Sequence, residues 1–296
     1  VTTQPVLRGD VAVLVPAAGL GTRLGPGAPK ALRTLGGVPI LWHAVHRLAA
    51  APSVAAVVVA APRGQVDPVR ALLADAIVTS VRSTSGSVRG AAAGAGDVSG
   101  AATAAPGYLS DAPSRLPVPA LTRAVVAESA RAPAAGGGRC GPALYVVEGG
   151  ASRQESVAAA LAAVPAGLDI VAVHDAARAL TPPELVERVA AAVRAGAPAV
   201  VPVLPVVDTV RAVDVAGALA GVVDRAGLRR IQTPQGFRRS VLVEAHARSG
   251  PAHTDDAGLV EAWGVPVAAV AGAEEAFKIT TPYDLALATA LLTAAP

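Results

Sequence analysis

The sequence has no methionine, one cysteine, two lysines and only 2% aromatic residues across 296 positions. With Cys140 alone, neither an intramolecular disulfide nor a cysteine-based metal cluster can form. The apolar stretches are interrupted by Pro, Asp or Arg before they reach the about 20 residues of a membrane-spanning helix. The opening residues, Val1 to Asp10, are short and polar and lack the apolar core of a secretory signal. Val1 itself reads as an alternative start codon. An excess of one charge is also missing. The 25 basic and 22 acidic residues leave a net charge of +3, and the basic residues are scattered, so nucleic acid is not indicated as a partner. Alanine, valine and glycine dominate instead. These features predict a soluble, cytoplasmic protein of one large or two small domains, long enough to bury a sizeable core.

The scarcity of lysine makes its two positions informative, because Lys30 and Lys278 stand against more than twenty arginines. A compact ammonium on a flexible stem suits a phosphate oxygen in a way that a planar guanidinium does not. Lys30 closes a glycine-rich stretch, residues 16–30, that directly follows the apolar run Val11 to Val15. Such a run has the pattern of a strand buried on both faces of a parallel sheet. Gly19 and Gly21 remove side chains that would hold a triphosphate away from backbone N–H groups. Arg23 and Lys30 then place two cations where charge accumulates on a pentacoordinate phosphorus. Spacing excludes the two commoner phosphate loops. A Walker A loop needs Gly before the Lys and Ser or Thr after it, and here Pro29 precedes and Ala31 follows. A dinucleotide fingerprint needs a third glycine where Leu24 stands.

Strand-like and helix-like segments alternate along the chain. The patterns predict strands at 11–17, 55–61, 144–148, 169–174, 199–204 and 265–271. They predict helices at 38–50, 65–75, 152–164, 182–195, 239–248, 254–263 and 283–294. The run Thr181-Pro182-Pro183-Glu184 reads as a helix start with Thr as N-cap. Alternation of this kind implies an α/β fold with a mostly parallel sheet and its sites at the strands' C-terminal ends. Residues 83–142 break the pattern. They are small, Gly-, Pro- and Ser-rich, with almost no large apolar side chains, and are expected to be a low-complexity, disordered insert. Within it, 121–130 could at most form an isolated helix. The insert enters at the N-terminal end of the strand at 144–148, so it should lie away from the chemistry and be dispensable for catalysis. Residues 1–82 and 143–296 then form a single domain.

Four further segments carry chemistry. Glu148-Gly149-Gly150-Ala151-Ser152-Arg153-Gln154-Glu155-Ser156 turns a strand end into a helix start, where exposed amides and close backbone approach suit a nucleotide. An ordinary strand-to-helix turn fits these residues equally well. His174-Asp175-Ala176-Ala177-Arg178 lies at another strand end. Asp175 there can hold Mg²⁺ or a sugar hydroxyl, and Arg178 can reach a phosphate. His174 is assigned a structural role in the turn, since a phosphate nucleophile needs no general base near neutral pH. Residues 205–230 carry alternating patterns around Asp214-Val215-Ala216-Gly217 and predict a projecting β-arm whose edges want a partner chain. His253, Asp255 and Asp256 could form a metal site, although Thr254-Asp255-Asp256 fits a capped helix start better.

Taken in order, these motifs resemble the 2-C-methyl-D-erythritol 4-phosphate cytidylyltransferase family. The matching stretches are the loop at 16–30, Gly-Gly-x-x-Arg-x-x-Ser at 149–156, His-Asp-Ala-Ala-Arg at 174–178, Asp208-Thr209, Val223-Asp224-Arg225, Thr233-Pro234-Gln235, Thr254-Asp255 and Lys278-Ile279-Thr280. The resemblance implies a Rossmann-like nucleotidyltransferase fold, with arms exchanged across a homodimer. It further implies transfer of CMP from CTP to methylerythritol phosphate with Mg²⁺. Arg23, Lys30, Arg225 and Lys278 would offset the repulsion between the two anions. Ala17, Ala18, Gly19, Gly21, Gly150, Ala151, Ser156 and Asp175 would hold the nucleotide. Asp175, Arg178, Thr209, Arg225, Thr233, Thr254 and Lys278 would handle the acceptor, and Asp175 is the metal candidate within this set. Position 151 departs from the family pattern, with Ala where Asp is common. A related transferase acting on ribitol 5-phosphate or another sugar phosphate is the alternative, as is a non-catalytic CTP-binding protein. Fusion to a later enzyme of the pathway is not expected, because nothing follows the predicted last helix.

Overall fold

Val11 to Val15 are fully buried and form the middle of the fold, on a strand covered on both faces. The computed structural model describes residues 9–19, 28–86, 127–129, 141–248 and 253–294. In chain order the elements begin with β1 (Val11–Pro16), the small hairpin of β2 (Thr34–Leu35) and β3 (Val38–Pro39), α1 (Ile40–Ala49), β4 (Val54–Ala61) and α2 (Val66–Gly86). Next come β5 (Ala127–Ser129), β6 (Ala143–Glu148), α3 (Arg153–Ala162), β7 (Ile170–Val173), α4 (Pro183–Arg194) and β8 (Ala199–Pro205). The chain continues through β9 (Val210–Val213), β10 (Leu219–Val223), β11 (Arg229–Ile231), β12 (Gln235–Arg238) and α5 (Arg239–Ala247). It closes with α6 (Asp256–Glu261), β13 (Val267–Ala271) and α7 (Pro282–Ala294).

The main sheet has the order β11-β8-β12-β7-β1-β4-β6-β5, with β13 also paired to β8. Its centre is parallel: β1 runs alongside β4 and β7, and β4 alongside β6. Alternate side chains of β1 serve two cores. Val11, Val13 and Val15 pack with Leu41 and Val45 of α1, Leu73 of α2 and Val189 of α4. Ala12 and Leu14 pack with Val157 and Leu161 of α3, Leu242 of α5 and Leu259 of α6. Two covered faces explain why the strand reads as an unbroken apolar run rather than an alternating one. A third cluster, including Leu35, Ile40, Ile279 and Ala288, seats α7 on the β2–β3 hairpin.

Every predicted strand and helix of the two flanking segments is present, most within a few residues, and several features differ, among them the unpredicted short strands β2, β3 and β11. The helix predicted at 65–75 extends as α2 to Gly86, into the start of the insert. Ala127–Ser129 is a strand, antiparallel to the outer edge of β6, and not part of a helix. Unpaired N–H and C=O groups along the β6 edge offer these three residues backbone bonds that an isolated helix could not better. The rest of the insert, 87–126 and 130–140, lies outside the described residues. Thr181 does not cap α4: its hydroxyl donates to the Arg178 carbonyl, and Pro182 occupies the N-cap position without a side-chain bond. Finally, the short strand β12, which the pattern did not suggest, inserts antiparallel between β7 and β8.

The predicted arm is also present. β9 and β10 form a separate two-stranded antiparallel sheet. At its tip the Asp214 carboxylate accepts from the amides of Ala216 and Ala218, and Gly217 takes the positive φ of 84° that the reversal requires. Val207, Val213, Val215, Leu219 and Val222 all stand exposed on and beside it.

Candidate active site

Three turns at the C-terminal ends of β1, β6 and β7 meet, where open α/β sheets place their ligands. The turn after β6 is tied tightly. The Gly149 amide donates to Ala61 O at 2.8 Å. A Cβ at Gly149 would lie 2.7 Å from the Ala18 methyl and 3.1 Å from Ala61 O, so only glycine lets the first and second turns touch. Ser152 caps α3, its hydroxyl accepting from Glu155 N at 3.1 Å, while Glu155 accepts from Ala151 N at 2.8 Å. Ser156 Oγ accepts from Gly150 N and donates to Ser152 O. These side-chain bonds tie down the amides of Gly150, Ala151 and Glu155 and fix the turn, with small residues facing the cleft.

The cleft between the turns encloses about 250 Å³. Asp175, the one acidic residue lining it among the described residues, is held between two cations. Oδ1 is 3.3 Å from Arg153 Nε and Oδ2 is 2.8 Å from Lys278 Nζ. Burial pushes the Asp175 carboxyl up, but Arg153, Lys278 and Arg178 pull it down further, and the net effect is a carboxylate held well below its usual range. Arg153 also reaches Asp256, Nη1 to Oδ2 at 2.6 Å, and the second Asp256 oxygen is 3.1 Å from His246 Nε2. The Asp256 side chain is only 2% exposed.

His174 is fully buried, and burial pushes its imidazole down to about 4, so the ring is neutral at physiological pH. It hydrogen-bonds Thr233 Oγ1 through Nδ1 and the Arg178 carbonyl through Nε2, the structural role expected of it. Thr233 in turn accepts from the Asp175 amide at 3.0 Å. Arg178 is a clamp: its guanidinium donates to Ala276 O at 2.7 Å and Ile231 O at 3.1 Å, tying β11 to the segment that carries Lys278. From the other side, Asp284 accepts from the amides of Thr280 and Thr281 and from the Thr280 hydroxyl.

A profile of the 2-C-methyl-D-erythritol 4-phosphate cytidylyltransferase family matches residues 11–102 and 117–294. The chain belongs to this family. Its similarity to the cytidylyltransferase of that name from Frankia casuarinae is 45% identity, over 97% of this chain and 83% of the relative. The Streptomyces avermitilis cytidylyltransferase is 42% identical, over 95% of this chain and 91% of the relative. Among solved structures, the 2-C-methyl-D-erythritol 4-phosphate cytidylyltransferase of Thermus thermophilus is 35% identical, with a TM-score of 0.61, covering 96% of this chain and all of that one. The fold is accordingly that of a nucleotidyltransferase.

In this cytidylyltransferase fold the cleft brings together Ala17, Ala18, Gly19, Lys30, Gly150, Ala151, Ser156, Asp175 and Lys278 of the residues predicted from sequence. Arg178 and Thr233 stand behind its wall and engage protein groups. Thr209, Arg225 and Thr254 are exposed and outside the cleft of the single chain, Arg225 donating to Val207 O on the arm. Arg23 and Gly21 lie outside the described residues. No metal-binding group of three or more His, Cys, Asp or Glu occurs among the described residues. The trio His253, Asp255 and Asp256 resolves as a helix start: Asp255 caps α6 by accepting from Gly258 N at 2.9 Å, and Asp256 faces Arg153. Among the described residues no helix is long and apolar enough to cross a membrane.

The residue that the sequence reading left without a role is Arg153. It stands at the first position of α3, where the helix dipole disfavours a cation. An arginine placed there is the one available signal that acidic groups wait nearby.

Proposed function

We propose that this chain transfers the cytidylyl group of CTP to 2-C-methyl-D-erythritol 4-phosphate, in the biosynthesis of isoprenoid precursors. A phosphate oxygen of the acceptor attacks the α-phosphorus in line, the α–β anhydride bond breaks, and pyrophosphate leaves. The product is 4-CDP-2-C-methyl-D-erythritol. The observation that carries this reading is the cleft itself, in which the only two lysines of the chain line one cavity beside the glycine turn that follows β6. Catalysis is then positioning and electrostatics, with no covalent intermediate. Lys30, with Arg23 in the same loop, offsets charge on the triphosphate, and Lys278 meets the acceptor phosphate.

Mg²⁺ fits this site as a companion of the triphosphate. Such a metal commonly takes one or two carboxylates and completes its shell with substrate phosphates and water. Asp175 supplies one ionised carboxylate that still has lone-pair capacity beside its two cationic partners. When bound, the metal neutralises charge on the phosphates.

The exposed apolar arm supports a homodimer, because a lone two-stranded hairpin is marginal in water and its valines and leucine lack cover. Arg225 and Thr209 would then serve the partner's cleft. The same reading places the enzyme in the cytoplasm. Light scattering at micromolar concentration is expected to give twice the chain mass, and a monomer would reject the exchanged arm.

The functional test is pyrophosphate release from CTP with methylerythritol 4-phosphate, run beside ribitol 5-phosphate and the other nucleoside triphosphates, with and without a chelator. Release confined to the first pair is expected. Turnover with another acceptor would reject the substrate assignment, and silence with every pair from a folded, CTP-binding protein would reject the enzyme.

A further inference from the structure

We infer that Arg153, which lines the cleft beside Asp175, is a positioning residue that keeps the charge of Lys278 available to substrate phosphate by occupying the other oxygen of Asp175. The inference rests on the reading above for the role of Lys278. Five charged or polar groups from separate parts of the chain form one line, His246–Asp256–Arg153–Asp175–Lys278, running from the interior to the cleft. Its inner end is fixed. Asp256 is buried, sits in the first turn of α6, and uses one oxygen on His246 and the other on Arg153. The guanidinium, planar and rigid, is therefore oriented from within, and its Nε edge is turned onto Asp175.

Asp175 and Asp256 carry two negative charges, and Arg153 lies between them while Arg178 also acts on Asp175. With both arginines present the two carboxylates are compensated, and Lys278 rests on Oδ2 as a cation whose field still reaches the cleft. Without Arg153, Asp175 draws more heavily on Lys278. The ammonium then forms a closed pair with it and its field towards an incoming phosphate is cancelled at short range. Arg153 thus acts through Asp175, and removing Asp175 should remove the effect of Arg153.

A double-mutant cycle of Arg153→Gln and Asp175→Asn tests this, read first in kcat/KM for the acceptor at saturating CTP. The expected result is a loss of about tenfold for Arg153→Gln in the parent and less than about twofold in the Asp175→Asn background, since directly coupled residues fail to add. Equal losses in both backgrounds overturn the inference, because they mean that Arg153 touches substrate itself or serves only the fold. Arg153→Lys guards against misfolding: it keeps a cation for Asp256 but cannot fork to both carboxylates. It should show the same dependence on Asp175 with a smaller loss, and additivity there is equally fatal. A second readout is the affinity of the free protein for inorganic pyrophosphate by calorimetry, in the same four combinations. It separates the two ideas: if the parent turns over no substrate pair, the functional reading falls, while the pyrophosphate cycle still upholds or rejects the coupling.

Discussion

Replacing Lys30 by alanine is expected to lower kcat by about 10²–10³, the scale for losing one preorganised charge donor at a reacting centre. The lysine is well placed for this. It opens a short 3₁₀ turn whose next residue, Ala31, is buried in the main core, so the backbone carrying the ammonium is anchored by the fold. Pro29 fixes the approach to that turn from the N-terminal side. Because the charge is needed most as the α-phosphorus becomes pentacoordinate, the loss belongs in kcat. A change confined to KM for CTP would mean that Lys30 binds ground state and transition state alike, contrary to the role given to it. Arginine at this position should recover little, since a planar fork cannot take the place of a point donor within a cleft of this size.

Asp256→Ala carries the largest expected effect on stability. It removes the shared acceptor of Arg153 and His246 and leaves the guanidinium partly buried with only Asp175 for a partner. Breaking a buried ion pair from one side costs about 3–5 kcal/mol, chiefly because the remaining charge is uncompensated. For a chain of this length that corresponds to a fall in melting temperature on the order of 10 °C. Calorimetric or fluorescence-monitored melting would measure it, and a shift below about 1 kcal/mol would show that the pair is solvated. Asp256→Asn, which retains an acceptor oxygen, should cost less.

Much of the fold was legible because its signals are local. Val11 to Val15 announce a doubly covered strand, and Asp214 to Gly217 announce the arm's reversal. The turn after β6 was also legible, down to the glycines, because two adjacent glycines before a capped helix leave few conformations. β12 was not. Its four residues, Gln-Gly-Phe-Arg, follow a proline and lack β-branched side chains, and only its neighbours β7 and β8 make it a strand. The far half of α2 was hidden by Thr79, Ser80 and Ser83, residue types that compete with the helix backbone; Thr79 indeed bonds the carbonyl of Asp75 one turn back. The site divides the same way. Residues on the three turns were proposed from the glycine-rich loop and from the family resemblance, both carried by contiguous motifs, whereas the pairing of Arg153 with Asp256 joins positions 103 residues apart. No local pattern encodes such a pairing.

The order of strands has a consequence for how the chain is made. Val11 pairs with Val54 on one side and with Ile170 on the other, both in parallel. A ribosome therefore delivers β1 and β4 long before the strand that closes the other flank of β1. Closing so long a loop adds little free energy, because the entropic cost rises only with the logarithm of length, but non-local parallel pairing is slow. The nascent N-terminal third must keep its most apolar strand with one side open until residues 170–173 emerge. An N-terminal fragment ending before them lacks a wall of its own central strand and should associate with whatever edge it meets, so the first productive folding unit of this protein is more than half of it.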